Sequence, residues 1–256
     1  MNNALEFRIS AGYGKTEVLH SVAGTIAPGE IVALVGLSGS GKSTLALALL
    51  RLLHYRGGSV TGSITVEGRE LTGYSESAMR GVRGKLIGYV PQSPGTALNE
   101  RLKVRTLLEE TWAAHREGAG SFGALLESVQ LPGDQAFLNK RAGELSTGQG
   151  QRLLIALGIM HKPAVLLADE PTSALDVITQ AAVLKLFAEL NQKNGTAMLF
   201  ISHDLLSVAS ISHRVDILHE GRIVESGPPG KIFSAPEHPF TRSLVDAMPR
   251  RIDLLN

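Results

Sequence analysis

Cysteine is missing from the 256 residues of this chain, and so is any strong excess of charge. Without cysteine the chain has no disulfide framework, no thiolate metal site and no cysteine-ligated iron–sulfur cluster. The formal net charge is only +1, and no long run of Lys and Arg occurs. A nucleic-acid-binding module usually carries a clustered basic face, so nucleic acid is not an expected partner.

Long apolar runs are absent as well. The most apolar stretch, residues 45–53, is short and contains Arg51, whereas a membrane-spanning helix needs about 18–20 apolar residues. Residues 1–14 lack the basic-then-apolar layout of a signal peptide. We therefore expect a soluble chain that acquires any membrane role through a partner.

Apolar periodicity predicts a mixture of strands and helices. Residues 5–9 alternate apolar and polar side chains, and residues 31–35 are almost wholly apolar, as in a strand covered on both faces. Residues 42–53 are apolar nearly all round, which predicts a buried helix. The other predicted strands are 18–26, 63–67, 86–90, 165–168, 198–202, 215–219 and 222–225, and the other predicted helices are 104–116, 122–129 and 179–192.

A glycine-rich segment, residues 36–43, matches the phosphate-loop pattern G-x-x-x-x-G-K-[ST] in full. It follows a predicted strand and opens a predicted helix, which is the context that this motif requires. Backbone N–H groups and the helix N-terminus then surround phosphate oxygens. We expect Lys42 to reach the β- and γ-phosphates and Ser43 to ligate Mg²⁺. The predicted nucleotide-binding residues here are Gly36, Ser38, Gly39, Ser40, Gly41, Lys42, Ser43 and Thr44.

The predicted strand 165–168 leads directly into two carboxylates, Asp169 and Glu170. A strand-end Asp holds Mg²⁺ in P-loop NTPases, which predicts that role for Asp169. Glu170 is placed to orient or deprotonate an attacking water, for which a base must come within about 3 Å of the proton. A solvated acidic turn is the alternative interpretation.

A lone histidine, His203, follows the predicted strand 198–202. By itself such a residue is more often a helix cap or a packing residue. The run Ser202-His203-Asp204 suggests a hydrolase triad, but adjacent residues diverge on an extended chain, whereas triad members converge in space. The residues alone therefore leave His203 without an assigned chemistry.

The segment Leu-Ser-Thr-Gly-Gln, residues 145–149, lies between the phosphate loop and Asp169. With this order of motifs the chain resembles the nucleotide-binding subunits of ATP-binding cassette (ABC) transporters. The resemblance implies pairing with a second ABC ATPase subunit, identical or a sister chain. It also implies that Ser146, Gly148 and Gln149 cap the nucleotide held by that partner. The family usually has Gly where this chain has Thr147, whose branched side chain limits backbone freedom, so we expect a working but altered site.

The resemblance gives roles to residues that mean little alone. It implies that His203 contacts the γ-phosphate and the catalytic Glu170, and that Gln92 senses Mg²⁺ and the attacking water. It implies that Tyr13 stacks on adenine, for which core packing is the alternative. Residues 173–176 resemble the D-loop, which crosses the dimer interface. The predicted catalytic residues are Glu170, His203 and Gln92, and the predicted metal-binding residues are Ser43, Gln92 and Asp169.

Two further segments resemble those of peptide and nickel importers. Residues 91–99 resemble a Gln-Asp-Pro…Ser-Leu-Asn loop, with Ser93 in place of Asp, and residues 238–244 followed by Pro249 resemble a His-Pro-Tyr-Thr-Arg tail. The implied partners are two integral membrane permease subunits and an extracytoplasmic solute-binding protein. The implied location is the cytoplasmic face of the cell (inner) membrane.

The predicted fold is an α/β, RecA-like P-loop NTPase core of the ABC ATPase type, with an antiparallel β lobe and an inserted helical lobe. A single ABC ATP-binding domain is predicted over residues 1–256. Within it, residues 1–92 and 153–227 form the nucleotide-binding core with the β lobe, residues 93–152 the helical lobe, and residues 228–256 a C-terminal extension.

The predicted reaction is the hydrolysis of ATP, with Mg²⁺, to power an importer of peptides, nickel or related small solutes by dimer closure. The alternatives are an ABC ATPase of a different transporter and a non-transport ABC ATPase. The latter needs coiled coils, zinc modules or a second cassette, for which we expect no room in 256 residues. A P-loop kinase would not need residues 145–149, and the intact Lys42 and Glu170 argue against a subunit with a dead site.

Overall fold

The computed structural model describes residues 3–116, 118 and 120–248. Within these residues the chain forms ten strands and eleven α-helices. The strands are β1 (Leu5–Tyr13), β2 (Thr16–Ile26), β3 (Ile31–Val35), β4 (Gly58–Val66), β5 (Arg69–Glu70), β6 (Ile87–Val90), β7 (Val165–Asp169), β8 (Ala197–Ser202), β9 (Arg214–His219) and β10 (Arg222–Gly227). The helices are α1 (Lys42–Leu49), α2 (Glu76–Arg80), α3 (Pro94–Ala97), α4 (Val104–Ala113), α5 (Gly123–Ser128), α6 (Gln135–Asn139), α7 (Thr147–Ile159), α8 (Val177–Asn194), α9 (Leu205–Ala209), α10 (Pro229–Ser234) and α11 (Pro239–Asp246).

The central sheet has the strand order β10-β9-β3-β8-β7-β6. The strands from β9 to β6 pair in parallel, and β10 pairs with β9 antiparallel as the predicted hairpin. Every residue of β3, β7 and β8 is buried. Their continuous apolar runs follow from this position, because helices or the second sheet cover both faces of a parallel sheet. The predicted parallel core is therefore confirmed.

The second sheet is antiparallel, with the strand order β2-β1-β4-β5. Alternate residues of β1, such as Phe7 and Ile9, point into an apolar core shared with α1 and one face of the central sheet. This is the predicted β lobe. The predicted helix 42–53 ends earlier, at Leu49, because Arg51 takes a left-handed conformation with φ 52°. The Arg51 guanidinium holds that bend by donating to the backbone oxygens of Leu71 and Tyr74.

Helices replace strands between β6 and β7, as the sequence predicts. Buried residues of α4 to α7, including Leu108, Leu126 and Phe137, form one apolar cluster with the other face of the central sheet. Helix α7 runs through residue 152 to Ile159, so it contacts both the lobe and the sheet. The lobe boundaries at residues 93 and 152 stay a prediction. In the part of the chain that the structure describes, no helix combines the length and apolarity needed to cross a membrane.

The segment after β10, expected as a short tail, folds into α10 and α11. Glu225 of β10 fixes it: the carboxylate accepts the N–H groups of Glu237 and His238, each at 2.9 Å. The Phe240 ring also stacks on His219, with 3.8 Å between centroids. Pro249 of the predicted tail motif lies outside the described residues.

Candidate active site

The carboxyl ends of three adjacent parallel strands bring the predicted motifs together. Val35 at the end of β3 pairs with Ser202 of β8, and Asp169 at the end of β7 pairs with Ile201 of β8. The phosphate loop, Glu170 and His203 directly follow these strand ends, so they meet at one edge of the sheet. In an open α/β sheet this edge is where ligands bind.

The phosphate loop has the backbone that its glycines predict. Gly41 has φ 106°, and a Cβ there would lie 2.7 Å from Leu19 Cδ2. At Gly36 a Cβ would lie 2.3 Å from the backbone oxygen of Leu218. Both positions therefore require glycine. Helix α1 begins after Gly41 without a side-chain cap, so its first N–H groups remain available to an anion.

Lys42 is held inside this loop. Its side chain is only 5% exposed, and its Nζ donates to the backbone oxygens of Gly36 and Leu37 at 2.8 and 3.0 Å. The nearest carboxylate contact is Glu170 Oε1, at 3.8 Å. Burial lowers the pKa of Lys42, and the charges of Glu170 and Asp169 oppose that shift. Among the described residues the close partners of the ammonium are thus neutral carbonyl oxygens, and its carboxylate contact is longer, which suits a group that binds phosphate.

Ser43 and Asp169 form an oxygen pair beside Lys42. Ser43 Oγ donates to Asp169 Oδ1 at 3.3 Å, and the hydroxyl of Tyr89 donates to Asp169 Oδ2 at 3.4 Å. Burial raises the pKa of Asp169, while the hydrogen bond from Ser43 lowers it. A hydroxyl and a carboxylate are the donors that Mg²⁺ takes from P-loop proteins, with phosphate and water completing its shell. These two residues therefore fit Mg²⁺.

Tyr89 is a site neighbour that the sequence analysis missed. Its strand β6 pairs with β7, and burial raises the pKa of the Tyr89 phenol well above its usual value, with the Asp169 charge adding to the shift. The phenol therefore stays protonated and donates. No local pattern identifies this residue, because the contact depends on the pairing of two strands that lie far apart in the sequence.

Glu170 is the centre of the polar contacts. Its Oε2 lies 3.1 Å from His203 Nδ1 and accepts a hydrogen bond from Gln92 Nε2 at 3.2 Å. The three residues predicted as catalytic are thus brought together. Glu170 also has φ 46°, a left-handed conformation that costs a non-glycine residue of order 1–3 kcal/mol. Its backbone N–H donates to Ile201 of β8 at 2.9 Å, which holds this conformation against the sheet.

A cavity of about 260 Å³ opens above the phosphate loop. Lys42, Ser43, Gln92 and Glu170 line it, together with Val18, Ser38, Gly39, Gly41 and Thr44. The buried Ser40 hydroxyl has no hydrogen-bond partner among the described residues and lies on the Gly36 side of the loop. Tyr13 lies at the end of β1, half-buried against the apolar core, and does not line this cavity. Val18 is the β-lobe residue that does.

Ser146, Gly148 and Gln149 lie at the start of α7, away from this cavity. Ser146 caps the helix: its Oγ accepts the N–H of Gln149 at 3.2 Å, and Gln149 Oε1 accepts the N–H of Ser146 at 3.1 Å. Thr147 is the first residue of the helix. Ser146 and Thr147 line a second cavity of about 260 Å³ that shares no residue with the first. Within one chain, the structure does not bring these residues to Lys42.

Comparison with known proteins finds an ABC transporter family match and relatives that are named as ATP-binding proteins of transport systems. The model of the ABC transporter family matches residues 19–173. A putative peptide import ATP-binding protein of Brucella ovis is 42% identical over 87% of this chain and 69% of that protein. The oligopeptide transport ATP-binding protein OppD of Lactococcus lactis is 36% identical over 96% of this chain and 74% of that protein.

Solved structures agree in fold. The structure of cbiO1 from Clostridium perfringens, part of an ABC transporter complex, has a TM-score of 0.78 and 25% identity, covering 98% of this chain and 97% of that one. The ATP-binding cassette MJ0796 with ADP and phosphate bound has a TM-score of 0.73 over 88% of this chain and 98% of that one; at 24% identity it supports the fold alone. The chain belongs to the ABC transporter family of ATP-hydrolysing cassettes.

Proposed function

We propose that this chain is the ATP-hydrolysing subunit of a membrane importer for peptides or related small solutes. The observation that carries the solute class is the 36–42% identity to relatives named for peptide import and oligopeptide transport. Those relatives are covered to 69% and 74% of their own lengths. The cluster of Lys42, Gln92, Glu170 and His203 supports the hydrolytic part of the proposal.

ATP would bind with its phosphates in the loop from Gly36 to Thr44. Lys42 and the N–H groups at the start of α1 would neutralise the β- and γ-phosphates. Ser43 and Asp169 would hold Mg²⁺, near Gln92. The ion, when bound, neutralises charge on the phosphate oxygens as the terminal phosphoryl group leaves. Tyr13 would stack on adenine from the β lobe.

Glu170 would act on the attacking water. The water's oxygen forms a bond to the γ-phosphorus, its proton passes to the Glu170 carboxylate, and the bond from that phosphorus to the β–γ bridging oxygen breaks to release ADP. His203 and Gln92 contact the same carboxylate oxygen, Oε2, and the other oxygen, Oε1, lies 3.8 Å from Lys42 Nζ. These two residues would orient the base. His203 would also contact the γ-phosphate, and Gln92 would sense Mg²⁺ and the attacking water.

A second subunit would complete each site. Ser146, Gly148 and Gln149 would cap the nucleotide that the partner's phosphate loop holds, which accords with their separation from Lys42 within one chain. Thr147 would lie beside the partner's γ-phosphate. The further partners would be two integral membrane permease subunits and an extracytoplasmic solute-binding protein. The assembly would hold this chain at the cytoplasmic face of the inner membrane.

Co-purification tests the proposed assembly. The tagged full chain, expressed in its own cell and extracted with mild detergent, should bring down two membrane subunits and a second cassette. Addition of peptides with the solute-binding protein should then raise the rate of ATP hydrolysis. Recovery of the chain with soluble DNA-repair or translation proteins, and without membrane subunits, would refute the importer proposal.

A double-mutant cycle tests the shared site. Glu170→Gln in this chain and a bulky change at the partner's signature serine should damage one and the same site, so their effects on hydrolysis should be strongly non-additive. Glu170→Gln with Ser146→Arg in this chain should damage both sites and leave almost no activity. The opposite pattern would mean that one chain supplies both halves of a site.

A further inference from the structure

The turn that carries His203 depends on residues beside it. His203 has a side chain that is 57% exposed, and its one described polar contact is with Glu170. The next residue, Asp204, caps helix α9 by accepting the N–H of Ser207 at 3.2 Å. The backbone N–H of Asp204 donates in turn to Ser202 Oγ at 3.0 Å. The direction of the imidazole therefore follows the position of Asp204 and the first turn of α9.

Gln180, in the first turn of α8, reaches across to this turn. Its Nε2 donates to Ser207 Oγ at 2.8 Å and to Asp204 Oδ2 at 3.3 Å. Ser207 Oγ also hydrogen-bonds to Asp204 Oδ2, so the three side chains form a closed triangle. The contacts are half-buried, where a hydrogen bond to a charged group contributes more than one between neutral groups. One amide thus fixes both the cap and the first turn of α9.

The same turn of α8 also contacts the start of α7. Thr179 Oγ1 donates to Asp176 Oδ2 at 2.7 Å, which fixes the Thr179 rotamer. Its methyl group then faces α7, because a Cβ at Gly148 would lie 2.9 Å from Thr179 Cγ2. Neighbouring residues of one helical turn therefore contact the segment proposed to cap the partner's nucleotide and the turn that carries His203.

We propose that Gln180 is a positioning residue: it holds the His203 turn through Asp204 and Ser207, and it links His203 to the α7 end of the molecule through the first turn of α8. The inference rests on the proposed roles of His203 and Glu170. Gln180 contacts none of the reacting atoms. It acts by keeping the imidazole at Glu170 and by passing a displacement near Gly148 on to His203.

Histidine-selective NMR on the full chain tests the link directly. The chain has eight His residues, and the His203 ¹³Cε1 signal is identified by its loss in His203→Ala. Gln180→Ala should shift or broaden that signal. Gln192→Ala, which truncates an exposed glutamine of the same helix, should not. Gly148→Ala, which forces Thr179 to move, should shift the His203 signal when Gln180 is present and leave it unmoved in Gln180→Ala.

Hydrolysis by the chain purified with its co-purifying subunits gives the second readout. Gln180→Ala should lower kcat roughly 10- to 100-fold, the loss that a misplacement of about 1 Å produces, with the Kd for ATP unchanged. In a His203→Ala background it should cost nothing further. A normal kcat together with an unmoved His203 signal in Gln180→Ala would overturn the inference about Gln180 but not the proposed function. A wild-type rate in His203→Ala would overturn the proposed site itself.

Discussion

Replacing Glu170 by Gln should separate ATP binding from ATP hydrolysis. The amide has nearly the shape of the carboxylate, so its oxygen can still meet Gln92 and His203, which lie 3.2 and 3.1 Å from Oε2. The backbone strain at φ 46° is unchanged, because glutamine meets the same steric limits there. Only the charge and the ability to take a proton are lost.

The two losses affect different quantities, the turnover number kcat and the affinity for ATP. Loss of a general base lowers kcat by roughly 10²–10⁴-fold. Removal of the carboxylate next to Lys42, whose Nζ lies 3.8 Å from Oε1, leaves that ammonium free for phosphate and removes a negative charge facing the triphosphate. Affinity for ATP should therefore stay the same or rise, and the paired subunits should stay closed around ATP.

Phosphate release under single-turnover conditions measures the first effect, and size-exclusion chromatography with ATP and Mg²⁺ measures the closed pair. Glu220→Gln is a matched control, because Glu220 also has a positive φ, of 44°, but sits exposed in the β9–β10 turn. It should behave as wild type. A Glu170→Gln protein that hydrolyses ATP at the wild-type rate would show that another group takes the proton.

Three further changes test the loop and the C-terminal segment. Lys42→Ala should weaken ATP binding by roughly 1.5–3 kcal/mol, measured by titration of a fluorescent ATP analogue, and unchanged affinity would refute the loop assignment. Gly41→Ala should abolish binding and lower stability by about 1–3 kcal/mol, because its Cβ would strike Leu19, whereas Gly39→Ala, with open space around it, should cost less. Glu225→Gln should destabilise the fold at neutral pH: burial alone raises the pKa of Glu225, but backbone N–H donors outweigh it and hold the pKa below the usual value. The stabilisation by the charged Glu225 carboxylate is complete above about pH 4.3, the pKa of a glutamate in an unfolded chain, and is lost as the pH falls through the lower pKa of the folded state. Equal free energies of unfolding in urea for Glu225→Gln and wild type at neutral pH would contradict the prediction.

The strands and the phosphate loop were predictable because their signals are local. An apolar run such as residues 31–35, or the spacing of Gly36, Gly41 and Lys42, specifies its own backbone. The meeting of Glu170 with His203 was predicted only from the family resemblance, and the structure supplies its physical reason: the ends of neighbouring parallel strands share one edge. The end of α1 was misplaced because Arg51 turns the chain through contacts with Leu71 and Tyr74, which no local pattern indicates.

Contacts between distant elements were the part that sequence reasoning could not reach. Tyr89 touches Asp169 only because β6 lies beside β7, and Gln180 touches Asp204 only because α8 packs on α9. Helices α10 and α11 are short, and their docking depends on the buried carboxylate of Glu225. In each case at least one residue of the deciding interaction, Tyr89, Gln180 or Glu225, belongs to no recognisable motif.

ATP-driven movement of peptides out of sealed vesicles tests the account most directly. The complex that co-purifies with this chain is reconstituted into liposomes with its cassettes facing outward and its solute-binding protein inside. When ATP and Mg²⁺ are added, it should move short peptides from the lumen to the outside, where the cassettes lie. Glu170→Gln should abolish that movement and Glu220→Gln should not. Vigorous ATP hydrolysis with no movement of any peptide, or transport that persists in Glu170→Gln, would contradict the account.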